Sequence, residues 1–166
     1  KTYDQLRMSV ANPSADVKIV ASHGGISIGE DGASQQSIED IALTTSLPGF
    51  TVIVPADQYS TAALVKQAAN TKGPFYIRTG RPKVPIIYHE KSQFSIGKGV
   101  QLSEGKDVTI IANGLLVFEA LVAAEELKIK GISASVIDMH TIKPLDRDLI
   151  REACQKTGAI VTAEEH

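Results

Sequence analysis

Residues 51–77 read TVIVPADQYSTAALVKQAANTKGPFYI and contain one strand–helix–strand unit. Residues 51–54 and 75–77 are short runs rich in β-branched and aromatic residues, as in buried strands. Between them, residues 58–70 have helical spacing, and Asp57 is placed to cap that helix. The helix is predicted to bury Ala62, Val65 and Ala69. Alternation of this kind builds parallel sheets covered by helices on both faces.

The same alternation extends in both directions along the chain. Further strands are predicted at 17–21, 108–111, 135–137 and 159–162, with an entry strand within 94–102. Further helices are predicted at 1–12, 115–130 and 146–156, the last of them capped by Asp146. The predicted fold class is α/β, with two partial α/β domains that contain mainly parallel sheets.

Residues 79–107 interrupt the alternation, and within them GRPKVP at 80–85 has the composition of an extended connection. The chain is therefore predicted to divide into a first domain at 1–79, a linker at 80–92 and a second domain at 93–166. Both domains are expected to be incomplete. The first helix has no cap, and the last predicted strand leads directly into the end of the sequence.

The composition is that of a globular protein, with 43% hydrophobic and 22% charged residues and a formal charge of −2. This charge argues against nucleic acid or an anionic membrane as a partner, and no apolar run is long enough to cross a bilayer. The single cysteine, Cys154, excludes an internal disulfide and is predicted to be a small core residue. A cytoplasmic location is expected.

The loop that follows the first predicted strand, SHGGISIGEDGASQQ at 22–36, concentrates polar groups. Its glycines let the backbone approach a ligand closely, and it leaves the carboxyl end of a strand. Its histidine, carboxylates and amides suit a polyhydroxylated ligand best. Composition alone leaves open a loop that only turns. The four histidines, at 23, 89, 140 and 166, lack metal-ligand spacing, so no metal site is predicted.

Several motifs together resemble the transketolase family. They are GEDGASQQ at 29–36, LP at 47–48, VPAD at 54–57, IRTGR at 77–81 and VIDMHTIKPLD at 136–146. The resemblance covers essentially the whole chain and is closest to the separate C-terminal subunit of split transketolases. The chain is identified as a fragment of such a thiamine-diphosphate enzyme, comprising part of its pyrimidine-binding domain and the start of its C-terminal domain.

The resemblance implies substrate-binding roles for four residues. Asp31 matches a carboxylate that binds the hydroxyl beside the substrate carbonyl, and His23 and Arg81 match residues that hold the phosphate end. Gln35 stands where transketolases usually carry a histidine; an amide cannot change its charge near neutral pH. Lys1 and Tyr3 are weaker candidates, on a helix that borders the cofactor site.

The resemblance also implies thiamine diphosphate and Mg²⁺, with sugar phosphates as substrates in the pentose phosphate pathway. The glutamate that activates the cofactor is expected upstream of residue 1, and the diphosphate-binding domain or subunit is a separate partner. No catalytic residue and no metal ligand is therefore predicted in this chain. By itself it is expected to be inactive and to bind the cofactor weakly, and a homodimer or heterotetramer is expected for the intact enzyme.

Other functions remain open from the sequence. A deoxyxylulose-phosphate synthase or an oxo-acid dehydrogenase β-subunit would use the same cofactor, but His23 and Arg81 favour sugar phosphates over the dehydrogenase. A non-catalytic α/β module for assembly is the third alternative. Assembly alone would not require His23, Asp31 and Arg81.

Overall fold

The computed structural model describes residues 2–165 of the chain. The strands are β1 Lys18–Ser22, β2 Thr51–Ile53, β3 Phe75–Thr79, β4 Val100–Ser103, β5 Val108–Ala112, β6 Ala134–Asp138, β7 Thr141–Lys143 and β8 Ile160–Ala163. The α-helices are α1 Thr2–Gln5, α2 Asp40–Ser46, α3 Gln58–Ala69, α4 Leu116–Ile129 and α5 Arg147–Thr157, and a π-helical segment, Leu6–Ala11, continues α1.

The strands form two mixed sheets. The first has the order β1-β3-β2-β7, in which β1, β3 and β2 are parallel and β7 is antiparallel to β2. The second has the order β4-β6-β5-β8, in which β6, β5 and β8 are parallel and β4 is antiparallel to β6. The predicted α/β class with mainly parallel sheets is thus confirmed.

Helices α3, α4 and α5 match the predicted helices apart from small differences at their ends. Asp57 caps α3 through a reciprocal pair of hydrogen bonds with Ser60, and the Asp146 carboxylate accepts from the backbone N–H of Leu149 in α5. Such caps satisfy N–H groups that have no partner within the helix. The two caps that the sequence predicts are both present.

Of the three residues predicted to lie on the buried face of α3, only Val65 packs against the core. Ala62 and Ala69 are exposed, and the buried side chains are Ser60, Leu64 and Ala68. Leu64 offers more apolar area than the alanines, and Ser60 and Ala68 lie four residues before and after it on the same helix face. The prediction that Cys154 is a core residue is also wrong: Cys154 is exposed, while its neighbour Ala153 faces the core.

The two sheets share one hydrophobic core. Its buried members include Ile53, Leu64 and Phe75 from the first half and Val117 and Val136 from the second. Tyr88 and Phe94 lie in the same core, and their rings meet edge to face with centroids 4.7 Å apart. The chain between β3 and β4 is therefore packed against both halves.

Strand β7 belongs to the first sheet although it follows β6 of the second. Val52 of β2 lies opposite Lys143 of β7, and the Val54 amide donates to the His140 carbonyl oxygen at 2.8 Å. The Lys143 ammonium donates to the carbonyl oxygens of Thr45 and Leu47, each at 2.7 Å. The sequence prediction does not contain this strand, because a run of three residues carries too little periodicity.

Of the helices in the described part of the chain, none has the length and apolar character needed to cross a membrane.

Candidate functional site

The candidate site lies at the carboxyl edge of the first sheet. Strands β1 and β3 are parallel neighbours, and their last residues, Ser22 and Thr79, are register partners. The chain therefore leaves both strands at the same place. This juxtaposition brings the loop at 22–36 against the segment after β3, where open α/β sheets bind ligands.

Arg81 joins the two segments through a two-pronged contact. Its Nε lies 2.8 Å from Asp31 Oδ2, and its Nη2 lies 2.9 Å from Glu30 Oε1. The hydrogen bond that Arg81 donates to Glu30, and then the charge of Asp31, raise the pKa of Arg81 above its ordinary value. The side chains of Arg81 and Asp31 are 34% and 35% exposed, so a ligand in solvent can reach both. The structure thus brings together the candidate groups for a hydroxyl and for a phosphate.

His23 lies at the start of the same loop in a left-handed conformation, with φ of 66°. This region costs a non-glycine residue of order 1–3 kcal/mol unless the surrounding structure enforces it. Its ring Nδ1 lies 2.7 Å from the hydroxyl oxygen of Ser22, and the side chain is exposed. The histidine is therefore held by its own loop and faces solvent.

Gln35 ends the second of two short 3₁₀ turns in the loop, Gly29–Asp31 and Ala33–Gln35. It is exposed, and its amide nitrogen lies 3.5 Å from the Ser34 hydroxyl. The structure joins Asp31 to Arg81, whereas the contacts of His23 and Gln35 lie within the loop. Lys1 lies outside the described residues, and Tyr3 shares a hydrogen bond of 2.9 Å with Ser46 in α2.

Arg78 is a buried residue of the site to which sequence reasoning assigned no role. Its side chain is 1% exposed, and its guanidinium pairs with Asp40 and Glu165. Tyr76 donates to the same Asp40 carboxylate at 2.6 Å, and burial together with this bond raises the pKa of Tyr76. A signal was available: an arginine that continues a buried strand requires buried carboxylate partners.

A second buried polar cluster connects the two sheets. Asp57 Oδ2 accepts from the backbone N–H groups of Ile87 and Tyr88, at 3.0 and 2.8 Å. Burial would raise the pKa of Asp57, but these bonds and those from Ser60 hold it below its ordinary value. The Tyr88 hydroxyl in turn reaches Asp138 at the end of β6.

Asp138 and His140 are both 0% exposed, and burial shifts their pKa values in opposite directions. It raises the pKa of Asp138 to about 7, against the lowering effect of the Tyr88 hydrogen bond, and it lowers the pKa of His140 to about 4. Within the described residues, Asp138 Oδ1 and His140 Nε2 have no hydrogen-bond partner. Both groups are therefore enclosed by the protein.

Among residues 2–165, no three histidine, cysteine, aspartate or glutamate side chains come together as a metal site.

Comparison with known protein families gives two matches. The family described as "Transketolase, pyrimidine binding domain" matches residues 2–86, and "Transketolase, C-terminal domain" matches residues 97–166.

Two similar relatives carry transketolase names. A Methanocaldococcus jannaschii protein, named as a putative transketolase C-terminal section, is 46% identical over the whole chain, which spans 52% of that protein. Human transketolase is 44% identical, and the chain spans 27% of its length. The chain thus spans from about a quarter to about half of the length of these relatives.

A solved structure with the same fold is described as a split-gene transketolase, inactive β4 tetramer. It superposes with a TM-score of 0.92 at 48% identity, over 99% of this chain and 53% of that one.

Proposed function

Because this chain belongs to the transketolase family, we propose that it forms the substrate-binding part of a transketolase. The intact enzyme transfers a two-carbon ketol unit from a ketose phosphate to an aldose phosphate. The observation that carries this proposal is the pairing of Arg81 with Asp31 at the carboxyl edge of the first sheet. A guanidinium beside a carboxylate, both open to solvent, suits a ligand with a phosphate and hydroxyl groups.

Arg81 and Asp31 have complementary roles in this proposal. The guanidinium fork matches the geometry of a phosphate, which it can grip through two parallel hydrogen bonds. The Asp31 carboxylate accepts from the sugar hydroxyl beside the carbonyl. A substrate without that hydroxyl leaves the acceptor unpaired, at a cost of about 1–3 kcal/mol. His23, at the start of the same loop, is proposed to contact the phosphate as well.

Before a sugar phosphate binds, the carboxylates of Glu30 and Asp31 form ion pairs with the Arg81 guanidinium. A phosphate must displace or join these carboxylates, and Glu30, whose side chain is 81% exposed, is the one that can turn into solvent most easily. Asp31 then remains beside the guanidinium and is free to accept a hydroxyl. The pair therefore keeps the site ordered while it is empty.

Thiamine diphosphate, when bound to the intact enzyme, supplies the carbanion that cleaves the ketose. We assign the diphosphate, the divalent metal and the activating glutamate to another domain or subunit of the intact enzyme. The assembly is proposed as a homodimer or a heterotetramer. The similar split-gene transketolase was solved as an inactive tetramer, which supports the need for a second kind of subunit.

The test uses the complete protein with its diphosphate-binding partner, thiamine diphosphate and Mg²⁺. With xylulose 5-phosphate and ribose 5-phosphate, we expect sedoheptulose 7-phosphate. Asp31→Ala should lower the rate with hydroxylated acceptors by about tenfold or more, while Asp148→Ala, which alters an exposed ion pair of α5, should not change it.

Other results would contradict the proposal. Consumption of pyruvate without ketol transfer would favour a deoxyxylulose-phosphate synthase or an oxo-acid dehydrogenase. No reaction with either substrate set would favour an assembly module.

A further inference from the structure

Glu165, which follows β8 of the second sheet, packs against the candidate loop of the first sheet. Its carbonyl oxygen accepts from the Ile26 amide at 3.0 Å, and its carboxylate accepts from the Ser27 hydroxyl. The residue is 7% exposed. A side chain from the second domain is thus buried beneath the loop that carries His23.

The Arg78 guanidinium forms an ion pair with this glutamate. Its Nη2 lies 3.2 Å from Glu165 Oε1, and its Nη1 lies 3.5 Å from Asp40 Oδ1. Asp40 is the first residue of α2, so the guanidinium ties together β3, α2 and the segment after β8. Buried charges of this kind are fixed in position, because each needs the other to offset its desolvation.

The two glycines that follow His23 fit closely over this pair. A β-carbon at Gly24 would lie 2.5 Å from Arg78 Cδ, and one at Gly25 would lie 2.4 Å from Glu165 Cγ. Gly25 also has a φ of 83°, which disfavours other residues. The backbone of the turn is therefore pressed against the Arg78–Glu165 pair and cannot move toward it.

His23 itself needs such support, because its left-handed conformation persists only where the surroundings enforce it. We propose that Arg78 and Glu165 are positioning residues that hold the turn at 23–25, so that the His23 imidazole faces the phosphate of the substrate. The inference rests on the proposed function for the identity of the ligand. It gives the second domain a part in the substrate site of the first.

A purely structural ion pair would have different consequences from a positioning pair. Loss of structural support would lower activity with every substrate alike. Loss of positioning should weaken only those substrates whose phosphate His23 contacts. The two roles therefore separate in a comparison of phosphorylated and non-phosphorylated ketol donors.

The first experiment does not depend on catalytic activity. In the complete protein, hydrogen exchange is measured at the amides of residues 25–27 in the wild type and in Glu165→Gln. We expect exchange there to accelerate by about tenfold, with little change in α4. Arg151→Ala, which breaks an exposed pair with Asp148 at 2.7 Å, is the matched control and should leave the loop unchanged. Equal protection in wild type and Glu165→Gln would overturn the proposal.

The second experiment compares donors in the holoenzyme. For Glu165→Gln and Arg78→Lys, we expect kcat/KM for the phosphorylated donor to fall about tenfold more than kcat/KM for a non-phosphorylated one, mainly through KM. An equal fall for both donors would show a structural role only and would overturn the proposal.

Should the wild type itself show no ketol transfer, the proposed function fails. The exchange measurement still decides whether Glu165 holds the loop.

Discussion

The Tyr88 hydroxyl donates a hydrogen bond of 2.7 Å to Oδ2 of Asp138, the last residue of β6. The backbone of Tyr88 donates at the same time to Asp57, the cap of α3. One residue of the segment between the sheets therefore connects a helix of the first half to a strand of the second. All three residues are buried. A donor or acceptor left without its partner there would therefore lower the stability of the fold by the full cost of its desolvation.

Tyr88→Phe should destabilise the protein by about 1–3 kcal/mol, because it leaves the buried Asp138 carboxyl without its donor. The free energy of unfolding in urea at pH 7 measures this. Tyr59→Phe is the control: Tyr59 packs on the same core, and within the described residues its hydroxyl makes no hydrogen bond. A loss for Tyr88→Phe no larger than that of the control would contradict the assigned bond.

Asp138 and His140 should give opposite pH dependences of stability. The pKa of Asp138 rises from 3.8 to about 7 on folding, so its contribution to stability is lost as the pH rises through that range. The pKa of His140 falls from 6.5 to about 4, so its contribution is lost as the pH falls through that range. In the wild type the two slopes, each at most about 1.4 kcal/mol per pH unit, offset each other between about pH 4 and 6.5.

Single variants should expose each slope. Asp138→Asn keeps an acceptor for Tyr88 but cannot ionise, so its stability relative to wild type should rise by about 2 kcal/mol from pH 5 to pH 7. The stability of His140→Gln relative to wild type should fall as the pH rises from about 5 to 6.5, because only the wild type gains stability from the histidine over this range. Urea denaturation at several pH values measures both. Variant curves that run parallel to the wild-type curve would show that neither group titrates as the buried geometry requires.

Asp57→Ala should cost at least about 2 kcal/mol, because it removes a helix cap and also leaves the N–H groups of Ile87 and Tyr88 without an acceptor. Asp148→Ala removes a carboxylate that is 72% exposed and should change stability by less than about 1 kcal/mol. Equal effects of the two variants would mean that Asp57 does not hold the backbone of Ile87 and Tyr88 in place.

Arg81→Lys tests the two-pronged contact in the proposed enzyme. Lysine keeps the charge but cannot donate in parallel, so KM for phosphorylated substrates should rise about tenfold, with a smaller change in kcat. Steady-state kinetics of the holoenzyme measure this, with Arg151→Lys as the surface control. An unchanged KM would place the phosphate elsewhere.

The sequence alone determined the strands that carry β-branched runs, the three long helices and the caps at Asp57 and Asp146. These signals are local, since hydrophobic periodicity and capping act within a few residues of chain. The family motifs also singled out Asp31 and Arg81 as partners of one ligand. Their roles as substrate-binding residues remain predictions, together with those of His23 and Gln35 and the domain boundaries at 79 and 93.

The tertiary structure decided what depends on contacts between distant segments. Which face of α3 is buried followed from how the helix meets the sheet, and β7 joined the first sheet because an edge of β2 was available to it. Arg78 and Glu165 are 87 residues apart in the sequence, so no periodicity could indicate their pairing. Local patterns specify elements, but only the packed chain brings two buried charges close enough to offset each other's desolvation.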